Sequence, residues 1–140
     1  MATNKKIKLF FLTIILFQMM SLSNSSFGQF ANSVTYTNPI IHEDFSDPDV
    51  IRVGNYFYMI ASSFTSVPGL PILSSSDLVH WNLIGYALHN NVPADYYKKV
   101  MHGAGVWAPS IRYHNNEFYI YYPDPDFGIY MIKSKTITGN

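Results

Sequence analysis

The sequence predicts an all-β domain built from successive blades of a propeller. From Val50 to Ile132, apolar and aromatic residues run continuously or alternate with period two, and no amphipathic helix of useful length interrupts them. The runs are joined by turn signals, of which Gly54-Asn55, between a Val-Ile-rich stretch and an aromatic one, is a hairpin signature. One block also repeats. Ile51-Arg52-Val53 followed by Phe57-Tyr58 returns as Ile111-Arg112-Tyr113 followed by Phe118-Tyr119, with one extra residue in the second turn, His114-Asn115-Asn116. In the same register Ile72-Leu73-Ser74-Ser75 falls opposite Met131-Ile132-Lys133-Ser134. Short strands repeating at a period of roughly sixty residues are the mark of a propeller, each blade a four-stranded meander.

Taken in order, the chain opens with Lys5, Lys6 and Lys8, an apolar run from Leu9 to Met20, and a polar, small-residue stretch from Ser21 to Gly28. That order predicts a secretory signal peptide over 1–28, with Ser26 and Gly28 as the small residues a cut before Gln29 requires. The apolar run is too short to span a bilayer comfortably. The mature chain is therefore expected in the periplasm or outside the cell, with no membrane anchor. Residues 29–37 read as a polar leader, and 38–140 as the N-terminal part of a propeller domain. Asn38-Pro39-Ile40-Ile41 is expected to pack as an edge strand or clip. Strands of the first blade are expected near 49–53, 56–62, 70–75 and 81–86.

The repeat has geometric consequences. It sets Asp47 opposite Trp107, each just before the first strand of its blade, and that strand lines the central axis of a propeller. Asp47 and Trp107 are thus expected to converge at one axial mouth, flanked by the loops of Ser63-Phe64 and Asp124-Pro125, which also correspond. Asp77-Leu78-Val79-His80-Trp81 is matched by Thr136 to Asn140, so the residues present make about one and three-quarter blades, fewer than the four or more that close a propeller. The expectation is an N-terminal piece of a longer protein, with about the first two blades present.

Composition removes several function classes. The chain carries no net charge and no basic run, so there is no electrostatic footprint for nucleic acid. It has no cysteine, which excludes disulfides, thiol nucleophiles and cysteine-ligated zinc. Its histidines have no short-spaced pairing, so no zinc site is expected. Among the carboxylates, Asp47 stands out because Pro48 restricts the residue before it, biasing Asp47 to an extended backbone and giving its carboxylate a defined direction. The alternative for Asp47 and Asp49 is turn capping. Asp77 and Glu117 sit in or beside turns and are expected to be structural. His102-Gly103-Ala104-Gly105 lacks the third glycine and the strand and helix of a nucleotide-binding loop.

Asp47-Pro48-Asp49 followed by Arg52-Val53-Gly54-Asn55-Tyr56-Phe57-Tyr58, then Ser62-Ser63-Phe64, Pro68-Gly69, Ser76-Asp77-Leu78-Val79-His80-Trp81 and Gly105-Val106-Trp107-Ala108-Pro109, resembles the opening of a family 43 glycoside hydrolase. The motifs keep the family's order and cover nearly everything after residue 38. The resemblance implies a five-bladed β-propeller in the complete protein, cleaving xylose or arabinose residues from plant hemicellulose with inversion. It makes Asp47 the general base and places the proton-donating glutamate and a pKa-modulating aspartate in later blades, with no matching position in this chain. Trp107 and Phe64 then become candidates for the apolar walls of a sugar pocket, core packing being the alternative. Asp124 is a candidate sugar contact, with turn capping as its alternative, and His102 a candidate hydroxyl partner. The implied partner is a xylo- or arabino-oligosaccharide. No cofactor is expected of this chain; the calcium that some members hold near the axis uses groups of later blades. Two other readings are a propeller that binds sugar without catalysis and an inactive truncated remnant.

Overall fold

The computed structural model describes residues 35–99 and 101–139. The expected signal peptide and residues 29–34 of the leader lie outside the described residues. Seven strands form two antiparallel sheets, one ordered β1-β2-β3-β4 and the other β5-β6-β7. The first comprises β1 (Asp49–Val53), β2 (Tyr56–Ile60), β3 (Gly69–Ser75) and β4 (Asn82–Leu88). The second comprises β5 (Ser110–His114), β6 (Glu117–Asp124) and β7 (Gly128–Ser134). Both are meanders, as expected of propeller blades. Helical structure among the described residues is limited to one 3-10 turn, Tyr96–Lys98.

The strand pairing reproduces the repeat and corrects it at one place. Phe57 pairs with Ser75 in the first sheet and Phe118 with Ser134 in the second, the correspondence read from sequence. The first hairpin turns at Gly54, with φ 62°. The second turns at Asn115 and Asn116, with φ 49° and 61°, the two positive values a type I′ turn requires. Its extra residue is therefore not in the turn: His114 pairs with Glu117 and lengthens the hairpin. In consequence Arg52 pairs with Phe57 but Arg112 with Tyr119, a shift of one residue between the two blades.

Other boundaries differ for local reasons. β2 ends at Ile60 instead of residue 62 because the Ser62 and Ser63 amides leave the ladder and donate to the carbonyls of Ser46 (2.9 Å) and Val106 (3.2 Å). Trp81 stands before β4, its indole Nε1 donating to the Leu78 carbonyl at 3.0 Å. β4 instead runs on to Leu88, which is buried in the core. Residues 38–41 form no strand; they are irregular and, except for half-buried Ile41, exposed.

The core lies between the sheets. Ile60 and Leu70 of the first and Ile111 of the second are 0% exposed, and Phe118, Ile120 and Tyr122 complete the second wall. Fully burying each such aliphatic side chain contributes about 1.5–3 kcal/mol. The first strands of the two sheets are also joined directly. Asp49 Oδ2 accepts from the Ile111 amide at 2.8 Å and from Arg112 Nη1 at 2.7 Å. Burial pushes the Asp49 carboxyl up, but the Ile111 amide and the Arg112 guanidinium outweigh it and hold the group below its ordinary value.

Asp77 is structural, as expected. Its Oδ1 accepts the amides of Val79 (2.9 Å) and His80 (2.8 Å), and its Oδ2 lies 2.7 Å from His80 Nδ1. The His80 side chain, then the two amides, hold this carboxyl well below the usual carboxylate range. A lowered folded value means stabilisation that is present above the ordinary value of 3.8 and is lost as pH falls from there through the lowered one. The stability gap between the native protein and Asp77→Asn is therefore expected at neutral pH and should close in acid. Melting temperatures of both proteins across the acid range check this, and a gap independent of pH would refute it.

Candidate active site

Asp47 sits on the exposed turn that enters β1, and its backbone is not extended: φ is 50°. Aspartate is one of the few side chains that accept this left-handed conformation. Two bonds from one residue hold it there. The Ser62 amide donates to the Ser46 carbonyl at 2.9 Å, and Ser62 Oγ donates to Asp47 Oδ2 at 2.8 Å. These bonds override the extended bias expected from Pro48. One carboxylate oxygen is thus tethered while the side chain stays open to solvent.

Phe64, two residues after Ser62, also has a φ of 50°, an uncommon conformation for a bulky residue. It is kept by a bridge to the second blade, in which the Phe64 amide donates to the Val106 carbonyl at 2.9 Å and the Val106 amide to the Phe64 carbonyl at 3.0 Å. Gly105 makes this approach feasible. With φ +88°, it lies so close to the Phe64 carbonyl that an added Cβ would come within 2.4 Å of the oxygen. Val106 is buried and leads into Trp107, whose amide donates to the Pro123 carbonyl and whose Nε1 donates to the Gly103 carbonyl, both at 2.9 Å. Phe64 is 37% and Trp107 43% exposed, so neither packs into the core formed by the described residues. Asp47, Phe64 and Trp107 are therefore joined by one continuous run of backbone and hydrogen bonds that crosses from blade to blade.

The other two candidates are placed differently. Asp124 is 2% exposed; its Oδ2 accepts from the Tyr97 hydroxyl and its Oδ1 from the Asp126 amide at 3.0 Å. Burial, then the bond to Asp124, pushes the Tyr97 phenol well up. The Asp124 carboxylate is thus engaged in its own turn and in anchoring the Tyr96–Lys98 segment, the turn-capping alternative. His102 is exposed, in the loop whose Gly103 carbonyl orients the Trp107 indole. Among the described residues no group of three or more His, Asp or Glu side chains is arranged to hold a metal ion.

Three residues shape this region through contacts that the sequence did not disclose, Asp49 among them, for which turn capping was the expectation. Asp49 joins the blades, Tyr97 occupies Asp124, and Ser62 tethers Asp47. Their partners lie 62, 27 and 15 residues away, a separation that leaves no local signature. Ser62 was visible only as part of the Ser62-Ser63-Phe64 motif.

Residues 36–140 match the sequence model of the family described as Glycosyl hydrolases family 43. A beta-xylosidase of Formosa agariphila is 37% identical over 108 residues, covering 75% of this chain and 18% of that protein. A non-reducing end alpha-L-arabinofuranosidase of Bacteroides ovatus is 43% identical over 86 residues, covering 61% of this chain and 16% of its own length. Among solved structures, a xylan beta-1,4-xylosidase from Bacillus halodurans superposes with a TM-score of 0.64 at 31% identity, covering 75% of this chain and 22% of the other. The chain spans less than a fifth of the length of the two curated relatives.

Proposed function

Because the chain belongs to glycosyl hydrolase family 43, we propose that the full-length protein is a secreted glycosidase that removes xylose or arabinose residues from hemicellulose by inversion, with Asp47 as general base. The observation that carries this reading is the Asp47 carboxylate itself: open to solvent, held through one oxygen by Ser62, and linked through Ser62 to Phe64 and Trp107.

Inversion needs two carboxyl groups roughly 6.5–9.5 Å apart, with room between them for the sugar and a water. Asp47 takes the proton from that water as its oxygen attacks the anomeric carbon. A carboxylic acid supplied by another part of the protein protonates the departing oxygen on the opposite face. Phe64 and Trp107 offer exposed apolar surface against which the C–H face of a pentose packs, excluding water from all but the attacking position. His102, exposed beside Gly103, is available to sugar hydroxyls. Asp124 contributes by fixing the turn that follows Pro123, whose carbonyl holds the Trp107 amide. Secretion rests on the charged, apolar, small-residue order of the N-terminus.

The full-length protein is expected to hydrolyse an aryl β-D-xyloside or an aryl α-L-arabinofuranoside. Proton NMR of the first product formed should show the anomer inverted relative to the substrate. Sugar binding without hydrolysis would favour the non-catalytic propeller, and a retained anomer would exclude Asp47 as the activator of water in a single displacement.

A further inference from the structure

We propose that Ser62 is the positioning residue of the Asp47 carboxylate, which rests on the reading of Asp47 as general base. Ser62 is itself only 8% exposed, at the point where the chain leaves β2, so its hydroxyl is aimed by packing. That hydroxyl donates to Asp47 Oδ2 at 2.8 Å, while the Ser62 amide holds the Ser46 carbonyl at 2.9 Å. One residue therefore fixes both the backbone entering the Asp47 turn and the rotamer of its carboxylate.

The need for such a tether follows from where Asp47 lies. It is exposed, and an exposed side chain samples three staggered χ1 wells, of which one serves a given direction. A general base must lie within hydrogen-bond reach of the water it deprotonates, so time spent in other wells is lost to catalysis. With Oδ2 occupied by Ser62, Oδ1 is the oxygen left to receive the proton. The next residue, Ser63, donates its amide to Val106, and Phe64 bridges to the same residue. The base and the Phe64–Trp107 wall thus share one three-residue mount, which sets the distance between proton acceptor and bound sugar.

The test uses the full-length protein carrying Ser62→Ala, Ser62→Thr, Asp47→Ala and the Ser62→Ala/Asp47→Ala pair, each with its melting temperature. Ser62→Ala is expected to lower kcat by about 10- to 100-fold with KM nearly unchanged, the range set by hydrogen bonds to charged groups. Ser62→Thr, which keeps the hydroxyl, should recover most of that loss. In the Asp47→Ala background Ser62→Ala should cost almost nothing more, since a residue acting through Asp47 has nothing left to position. Equal losses in both backgrounds, or a raised KM with native kcat, would overturn the proposal. Native turnover in Ser62→Ala with a large loss in Asp47→Ala would overturn it while leaving the base assignment standing. Native turnover in Asp47→Ala itself would remove both.

Discussion

Asp47→Ala is expected to lower kcat of the full-length protein by about 10²–10⁴-fold, or roughly 3–5 kcal/mol of transition-state stabilisation, the span of general base catalysis. The structure refines what should accompany that loss. Alanine leaves the buried Ser62 hydroxyl without its acceptor, at a cost of about 1 kcal/mol in stability. Asp47→Asn keeps an oxygen for Ser62 while removing the base, so it should lose turnover to a similar degree and melt close to the native protein. Were Asp47 only a turn cap, alanine would cost a comparable amount of stability, about 0.5–2 kcal/mol on the N-cap scale, but turnover would hardly change. Turnover and melting temperature measured on the same samples distinguish the two, and near-native turnover with a lowered melting point would sink the catalytic assignment.

The second large effect is expected at Gly105. An alanine there must accept φ +88° and place its Cβ 2.4 Å from the Phe64 carbonyl oxygen, a backbone atom that moves only if the bridge between the blades opens. Strain of the left-handed backbone and the clash together should cost about 3 kcal/mol or more. Because the displaced atoms belong to Phe64 and precede Trp107, kcat/KM should fall as well. Gly103 is the internal control: its φ is +75°, yet nothing lies within 4 Å of an added Cβ. Gly103→Ala should therefore show only the conformational penalty, about 1–2 kcal/mol. Equal destabilisation by the two substitutions in chemical unfolding would show that the contact at Gly105 carries no energy of its own.

What the sequence disclosed and what it hid follow from the range of the interactions involved. The hairpin at Gly54-Asn55 and the pairing of Phe57 with Ser75 and Phe118 with Ser134 were legible because turn chemistry and strand alternation act over a few residues. The turn at Asn115-Asn116 was placed one residue too wide, since His114 reads as polar turn material until its pairing with Glu117 is seen. Asp49 looked like the twin of Asp47, yet it points to Ile111 and Arg112 across the blade boundary, a contact that only packing creates. Asp124 carried the same ambiguity. Tyr97, brought in by the loop after β4, engages it together with the turn amide of Asp126. The left-handed backbone of Asp47 was missed because Pro48 sets a local bias, whereas Ser62 supplies two non-local bonds that exceed it.

Azide acting on Asp47→Ala separates a missing base from a damaged turn. A small anion entering the space of the lost carboxylate can attack the anomeric carbon without a base, but it cannot repair a distorted turn. If Asp47 is the base, azide accelerates Asp47→Ala and leaves the native protein unaffected, and the new product is a glycosyl azide of inverted configuration. A variant whose rate is indifferent to azide, with the free sugar as its sole product, would contradict that role.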